Sequence, residues 1–361
     1  MFDGLMNGSF VLPATRQGDL TRLIEIEDVV SPAMDPALAE IRGGMITIGN
    51  FDGVHRGHAG LLRELRSMAN ANAPQNANAS KDGNMPAVAV TFDPHPTSVL
   101  RPESASIPLT TMATRAERMR PIGIDALVVC RTDAGLLELG AEAFYQSLVG
   151  DRLAAFGMVE GPNFYFGRDR TGNVDRLASW CRRDGRQFQI ASITDADGRM
   201  VSSSRIRQLL DVGDLDAATE MMGHPHRIAG RVVTGRRRGR TIGFPTANLD
   251  DIAVVTPGPG VYGGVATVNR GTDEQPRIDR HAAAVNIGAN PTFNDAMHGR
   301  KVEVHLLNFA GDLYSRTLAV DLHFRLRDIR RFESPDQLSD QLRQDVETIR
   351  HRVSVLSSIQ P

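Results

Sequence analysis

Two histidines, His55 and His58, lie where a short apolar run gives way to a helical pattern. The run 45–48 predicts a buried strand of a parallel sheet, and Asp52-Gly53 predicts the turn that follows it. A helix that begins at a strand end offers free N–H groups and the positive end of its dipole, which favour phosphate. A lone His-x-x-His pair is more often an ordinary surface or core feature than a metal site. The setting therefore favours phosphate binding.

A second helix start carries hydroxyl and guanidinium groups. The segment 201–210 places Ser203 and Ser204 at the beginning of a helical pattern, and Arg207 follows them. Serines at such a position are ordinarily caps. Combined with free N–H groups and a guanidinium, they also suit a triphosphate. These three residues are therefore candidate nucleotide contacts, with helix capping as the alternative.

Polar groups follow two more predicted strands. The strand 87–92 leads into Asp93-Pro94-His95-Pro96, and the strand 156–159 leads into a Gly-Pro-Asn-Phe-Tyr-Phe-Gly segment that contains Asn163. Ligands of open parallel sheets bind at the carboxyl ends of the strands. The aromatic cluster after Asn163 indicates either loop packing or a surface on which a ring could stack.

The C-terminal half contains a glycine- and arginine-rich segment, 234–249, that ends in Gly-Phe-Pro-Thr-Ala-Asn. Its charge alone is typical of a solvated basic loop or an RNA contact. Thr246 and Asn248, however, offer a hydroxyl and an amide oxygen, which are hard ligands suited to Mg²⁺ on nucleotide phosphates. They are candidate metal ligands.

Glu303 is a candidate general base. In the run 301–306, Val302, Val304 and Leu306 alternate with polar residues, so Glu303 is predicted on the face of its strand opposite to the apolar side chains. A solvent-facing role is the alternative. A carboxylate near the Thr246/Asn248 pair could accept the proton of a hydroxyl that attacks a phosphate.

These motifs resemble one family. The segment GNFDGVHRGH is similar to the His-x-Gly-His signature of nucleotidyltransferases in its FMN adenylyltransferase form, and Ser-Ser-Ser-Arg-Ile-Arg resembles that family's Ser-Ser-Thr-x-Ile-Arg motif. Pro-Thr-Ala-Asn and the later segments 285–293 and 302–306 resemble riboflavin kinases. In this order, the motifs are those of the bacterial bifunctional riboflavin kinase/FMN adenylyltransferases, also called FAD synthetases.

The resemblance implies two reactions. The C-terminal half would phosphorylate riboflavin to FMN with ATP and Mg²⁺, with Glu303 as the base and Thr246 and Asn248 at the metal. The N-terminal half would transfer AMP from ATP to FMN, which gives FAD and pyrophosphate, with His55 and His58 at the triphosphate. The implied nucleotide and flavin contacts are Asn50, Asn163, Ser203, Ser204, Arg207, Gly235, Arg240, Gly243 and Phe244.

The elements that must position these residues predict two domains. Residues 1–223 read as a doubly wound parallel-sheet, Rossmann-like nucleotidyltransferase domain. Residues 224–361 contain five strand-like runs separated by Gly- and Pro-rich turns, which indicate a small antiparallel β-barrel with a C-terminal helix. That helix should begin at a capping box, Ser334 to Gln337, and pack on the barrel through an apolar stripe.

Composition limits the class of protein. The chain has 361 residues, a formal net charge of −2 and two cysteines, Cys130 and Cys181. These values predict a protein of the reducing cytoplasm that binds small-molecule substrates, without nucleic acid or a membrane as a partner. The oligomeric state is not determined by the sequence. Two rivals remain: a nucleotidyltransferase with another acceptor, and a non-enzymatic flavin- or RNA-binding regulator.

Overall fold

The computed structural model describes residues 21–29, 35–73, 84–192, 201–235, 239, 242–269, 277–288 and 300–359. Contacts divide these residues into two units. The described residues of the N-terminal unit lie in 15–106 and 112–201, and those of the C-terminal unit in 107–111 and 202–361.

The strands of the N-terminal unit are short, and the apolar runs at 45–48 and 87–92 lie in strands, as the sequence predicts. They are β1 (Arg22–Ile26), β2 (Met45–Ile48), β3 (Ala87–Asp93), β4 (Ala126–Arg131), β5 (Gly157–Glu160), β6 (Tyr165–Phe166), β7 (Gly172–Asn173) and β8 (Gln187–Ile190). Among the described residues, six of them form a parallel sheet in the order β1-β4-β3-β2-β5-β8, and β6 pairs with β7. The last strand of the sheet ends at Ile190.

Helices cover both faces of this sheet. They are α1 (Arg56–Asn72), α2 (Pro96–Leu100), α3 (Met112–Met119), α4 (Ala134–Glu138), α5 (Ala141–Phe144) and α6 (Val174–Arg183), and α5 continues into a π-helix, Tyr145–Arg152. Alternate strand residues enter two separate clusters, because successive side chains of a strand point to opposite faces. One cluster joins Met45 and Ala87 to α1 and α3, and the other joins Ile46 and Val88 to the π-helix and α6. The predicted doubly wound architecture is confirmed.

The C-terminal unit contains a closed antiparallel barrel. Its strands, in the order β10-β13-β12-β11-β14-β9 around the barrel, are β9 (His226–Val233), β10 (Ala247–Asp250), β11 (Gly260–Asn269), β12 (Ile278–Gly288), β13 (Lys301–Leu306) and β14 (Thr317–Arg327). The barrel agrees with the prediction, but β10 is not among the five strand-like runs predicted from the sequence. This strand has four residues, directly follows Pro245-Thr246 and lacks a clear apolar alternation.

Three helices accompany the barrel in this unit: α7 (Ser203–Asp211), α8 (Leu215–Met222) and α9 (Pro335–Ile359). The long helix α9 begins as predicted, since Ser334 Oγ accepts the N–H of Gln337 at 3.2 Å. Ile349 and Val353 of its apolar stripe are buried against Leu307 and Phe324 of the barrel region. Among the described residues, no helix combines the length and apolar character needed to cross a membrane.

Helices α7 and α8 group with the barrel by contacts, and α8 packs on β9 and β14. The sequence predicts a domain boundary after residue 223. The contacts between residues instead assign the chain from residue 202 onward to the C-terminal unit. The domain boundary after residue 223 stays a prediction.

Candidate active sites

The turn between β2 and α1 is built from buried residues in strained conformations. Phe51 and Val54 have φ angles of 48° and 39°, and Gly53 has a φ angle of 85°. The left-handed region is costly for side chains other than glycine, most of all for a β-branched one, and persists where the surroundings impose it. Phe51, Asp52 and Val54 are all buried. We refer to residues 49–55 as the signature turn.

The two histidines lie at the end of the signature turn. His55 is the N-cap of α1, and its Nδ1 accepts the N–H of His58 at 3.3 Å. The two imidazole rings are stacked, with their centroids 3.6 Å apart. Gly57 separates them, and a Cβ atom there would approach the His55 ring to 3.3 Å. The helix start and both rings therefore form one compact surface.

The electrostatics of this surface keep His58 neutral. Burial lowers the pKa of His58 well below its usual value, and the positive charges of His55 and Arg115 lower it further. The Nδ1 atom of His58 is buried and has no hydrogen-bond partner among the described residues. A neutral imidazole retains one N–H donor and one acceptor nitrogen, so it can bind a phosphate oxygen without carrying a full charge.

A cavity of about 810 Å³ opens at the carboxyl ends of β2 and β3. Asn50 and Asn163, which the sequence places far apart, both line it. Its apolar wall includes Phe92, Phe144, Phe164 and Phe166, and the last two rings are stacked with centroids 5.2 Å apart. Apolar and aromatic walls with a few polar groups are typical of small-molecule sites of this size.

The three candidate contacts of the serine-rich helix start lie in the C-terminal unit, whereas the histidines lie in the N-terminal unit. Ser202, rather than Ser203 or Ser204, caps α7, because its side chain accepts the N–H of Arg205 at 3.2 Å. Arg207 Nε donates to the carbonyl oxygen of Ile107 at 2.8 Å. The capping residue of α7 is therefore Ser202, which is not one of the two predicted serines.

The barrel brings together polar residues from three adjacent strands. In the register of β10 and β13, Asn248 lies opposite Glu303, and in that of β12 and β13, Asn286 lies opposite Glu303. The Asn286 amide approaches the Glu303 carboxylate at 3.4 Å, and Lys301 forms an ion pair with the same carboxylate. Val302, Val304 and Leu306 are buried on the other face, as the alternation predicted.

Asn248 has the features expected of a ligand residue. Its side chain is buried, and its Oδ1 atom has no hydrogen-bond partner among the described residues. A Cβ atom on Gly235 would lie 2.1 Å from the Asn248 amide nitrogen, so only glycine leaves space for this side chain. Thr246, the second candidate ligand, is exposed just before β10. An unpaired amide oxygen fits a hard cation such as Mg²⁺.

Two of the remaining candidates, Gly243 and Phe244, lie in the segment that leads into β10. Gly243 has a φ angle of 84°, which a side chain would disfavour, and Phe244 lies edge-on to His305 at 5.6 Å between ring centroids. His305 Nδ1 also lies 2.8 Å from the carbonyl oxygen of Pro245. Arg240 lies outside the described residues. Within the described parts of the chain, no group of three or more His, Cys, Asp or Glu residues could hold a metal ion.

Sequence reasoning missed two buried charged residues beside the signature turn. Arg115 of α3 pairs with Asp52, and Glu160 at the end of β5 accepts the N–H of Ile48 at 2.7 Å. A signal for Arg115 was available, since it lies on the face of α3 that also carries Met112 and Met119. An arginine within an apolar helical face needs a buried partner.

Two family models match the chain in succession. The FAD synthetase family matches residues 38–205, and the riboflavin kinase family matches residues 222–353. The bifunctional riboflavin kinase/FMN adenylyltransferase of Pseudomonas fluorescens is 36% identical over 312 residues, which cover 86% of this chain and 93% of that protein. The protein of the same description from Escherichia coli (strain K12) is 34% identical over 308 residues, with 85% and 92% covered.

A solved structure also shares the architecture. The crystal structure described as a macrolide-efflux protein from Streptococcus pneumoniae aligns with a TM-score of 0.72 and 29% sequence identity. The alignment covers 91% of this chain and 98% of that one. The match extends over both the sheet and the barrel.

Proposed function

Because the chain belongs to the family of bifunctional riboflavin kinase/FMN adenylyltransferases, we propose that the two sites described above carry out its two reactions. At the barrel site, riboflavin is phosphorylated by ATP to FMN. At the signature turn, FMN attacks the α-phosphorus of a second ATP, which forms FAD and releases pyrophosphate. Neither reaction needs a covalent enzyme intermediate, since positioning and charge stabilisation suffice for phosphoryl transfer.

In the kinase reaction, Glu303 accepts the proton of the riboflavin hydroxyl that attacks the γ-phosphate. A general base must lie within hydrogen-bond reach of that proton. Asn286 and Lys301 hold the carboxylate in place from the neighbouring strand and from its own strand. Gly235, Arg240, Gly243 and Phe244 form the surrounding nucleotide and flavin contacts.

Mg²⁺ fits this site. Asn248 offers an unpaired, buried amide oxygen, and Thr246 offers a hydroxyl. When bound, Mg²⁺ would neutralise charge on the phosphates of ATP. These neutral ligands suit a metal whose remaining ligands are phosphate oxygens.

In the adenylyl transfer, the cavity beside the signature turn holds the flavin. Asn50 and Asn163 supply polar contacts, and the phenylalanine side chains supply an apolar wall. His55, His58 and the N-terminus of α1 bind the triphosphate of ATP, since a helix start attracts anions. Ser203, Ser204 and Arg207 of α7 remain candidate nucleotide contacts.

The observation that carries this proposal is the register of the barrel, which places Asn248 and Glu303 opposite each other. A buried amide oxygen that lacks a hydrogen-bond partner among the described residues is unfavourable for stability, so a purely structural role does not explain it. The same pair provides a metal ligand and a base in the kinase reaction. The two free, buried cysteines suit a reducing compartment, and we place the reactions in the cytoplasm.

The test supplies riboflavin, ATP and Mg²⁺ and separates the flavin products by chromatography over time. We expect FMN to appear first and FAD to follow, and we expect EDTA to stop both. If FMN accumulated without FAD, the chain would be a kinase only. If riboflavin bound without conversion, the non-enzymatic rival would replace this proposal.

A further inference from the structure

One residue of the signature turn, Asp52, forms a buried ion pair with Arg115. The two proposed reactions do not use this pair directly. Arg115 and Asp52 have side chains that are each 6% exposed, and Arg115 Nη2 lies 3.0 Å from Asp52 Oδ1. Burying two charges is unfavourable unless the geometry is good and further hydrogen bonds satisfy the remaining groups. A second contact is therefore expected, and it goes to the backbone of the turn.

That second contact fixes the carbonyl group of Asn50. Arg115 Nη1 donates to the Asn50 oxygen at 2.8 Å, and Thr91 Oγ1 donates to the same oxygen at 3.1 Å. Arg115 thus joins Asn50 and Asp52, two residues of the turn, with one planar guanidinium. The two N–H donors of a planar guanidinium, which form a fork, fix both the direction and the distance of these two contacts. The ammonium group of a lysine cannot do this.

The two residues that Arg115 contacts lie on either side of a residue whose conformation is costly. Asn50 and Asp52 flank Phe51, whose φ angle is 48°, and Val54 follows at 39°. Such backbone persists when the surroundings over-determine it. The turn then ends at His55, which caps α1 and stacks on His58. A relaxed turn would move both rings and the helix start.

We infer that Arg115 is a positioning residue for adenylyl transfer: by bridging Asp52 and the Asn50 carbonyl, it holds the signature turn in the strained form that presents His55 and His58 to the triphosphate. The inference rests on the proposed function of this turn. The charge of Arg115 also reaches the site. Burial lowers the pKa of His58, and Arg115 lowers it further; burial raises the pKa of Asp93, and Arg115 opposes part of that rise.

The chain offers a matched control. Arg66 of α1 also joins a carboxylate and a carbonyl, with Nη1 2.8 Å from Asp125 Oδ2 and Nη2 2.6 Å from the oxygen of Met85. It lies in the same unit and is mostly buried. The contacts it makes do not include the signature turn. Arg66→Met should therefore lower stability while it leaves FAD formation intact.

The experiment compares Arg115→Met, Arg115→Lys and Arg66→Met in the full chain. We expect Arg115→Met to lower kcat for FAD by something like 10²-fold, since displacement of a catalytic group by about 1 Å has such an effect. FMN formation from riboflavin should stay unchanged in all three variants. Arg115→Lys keeps the charge but loses the fork, so its kcat should fall between those of the wild type and Arg115→Met.

A spectroscopic measurement separates positioning from loss of stability. The ring of His58 is titrated by NMR in each folded variant; the charged groups around it are His55 and Arg115, with Asp52 and Asp93 facing Arg115. The pKa of His58 should rise in Arg115→Met and stay low in Arg66→Met. This readout does not require turnover, so it still tests the inference if the wild type makes no FAD and the proposed function fails.

Three results would overturn the inference. If Arg115→Met does not fold, Arg115→Lys decides, and a wild-type kcat for FAD in that variant counts against positioning. Folded Arg115→Met with a near-wild-type kcat for FAD also counts against it. The third is an equal loss of FAD formation in Arg66→Met, which would assign the effect to stability alone.

Discussion

His58 combines a lowered pKa with an unpartnered, buried ring nitrogen. Both properties favour a neutral imidazole that donates to an anion when one arrives. Positive charge from the N-terminus of α1 acts in the same direction. Ring nitrogens of this kind, buried and without a hydrogen-bond partner among the described residues, are candidates for ligand contact rather than for structural roles.

We predict that His58→Ala removes FAD formation and leaves FMN formation, because the kinase residues lie on the barrel. Removing one preorganised donor typically lowers the rate by ~10²- to 10³-fold. Chromatography of the flavin products from riboflavin, and from added FMN, measures both steps. His351→Ala, which changes an exposed histidine of α9, serves as the control. A parallel fall in FMN formation would refute the assignment of His58 to one reaction.

At the barrel site, Glu303 is the residue that we propose as the general base. We predict that Glu303→Gln stops riboflavin phosphorylation while added FMN is still converted to FAD. An amide of the same shape keeps the fold but cannot accept the proton, and general-base catalysis typically contributes 10²- to 10⁴-fold. The control is Glu347→Gln on the exposed side of α9. Near-normal FMN production by Glu303→Gln would make Glu303 a surface residue.

The carboxyl group of Glu160 gives a prediction about pH and stability. Burial raises the pKa of Glu160 well above its usual range, so the folded protein keeps a proton that the unfolded chain releases. Stability from this group is therefore present at low pH and is lost as the pH rises from the unfolded pKa through the folded pKa. Glu160→Gln removes this dependence. The Tm of Glu160→Gln minus the Tm of the wild type should be larger at pH 8 than at pH 5, and differential scanning calorimetry measures both values. If this difference in Tm were the same at the two pH values, the raised pKa of Glu160 would be contradicted.

Among the elements, α9 shows how a single amphipathic stripe attaches a helix to the barrel. Ile349 is fully buried, and Arg327 of β14 forms a part-buried ion pair with Asp345 of the helix at 2.6 Å. Arg352 also lies over the ring of Phe324, with 3.7 Å from the guanidinium carbon to the ring centroid. The helix is thus fixed by apolar, ionic and cation–π contacts along one face.

We predict that Ile349→Ala lowers the free energy of unfolding of the C-terminal unit by about 2–5 kcal/mol, the usual effect of truncating a buried isoleucine. Val355→Ala, on an exposed position of the same helix, should change it by less than about 0.5 kcal/mol. Urea titration, monitored by far-ultraviolet circular dichroism, measures both changes. Equal effects of the two substitutions would show that α9 does not pack through this stripe.

At the scale of the whole molecule, the chain changes unit before α7, although the change from helical to strand-like sequence comes after α8. Leu215, Ala218 and Met222 of α8 are buried. They contribute to a core together with β9 and β14, on which α8 packs. The composition of a segment therefore does not decide which unit it stabilises.

We predict that a fragment of residues 202–361 is more stable than one of residues 224–361, while both phosphorylate riboflavin at low temperature. Burial of a Leu or Met side chain contributes about 1.5–3 kcal/mol, and the shorter fragment lacks four buried side chains of these types, Leu209, Leu210, Leu215 and Met222. Thermal unfolding of the two fragments measures the difference. Equal Tm values would favour the division after residue 223.

The sequence by itself determined the elements whose signals are local. The apolar runs of β2 and β3, the turn at Asp52-Gly53, the apolar spacing of α1 and the Ser334 cap depend on residues within a few positions of each other. Propensity, period and turn chemistry act over that range. The motifs of both sites, and with them the family, were readable for the same reason.

Tertiary structure alone decided what depends on residues far apart in the chain. The pairing of Asn248 with Glu303 requires β10, a strand with no local signal of its own, and the ion pair of Arg115 with Asp52 requires α3 to pack beneath the signature turn. Likewise, Asn50 and Asn163 line one cavity only because β2 and β5 are neighbours in the sheet. Register and packing arise from long-range burial, which short-range patterns do not encode.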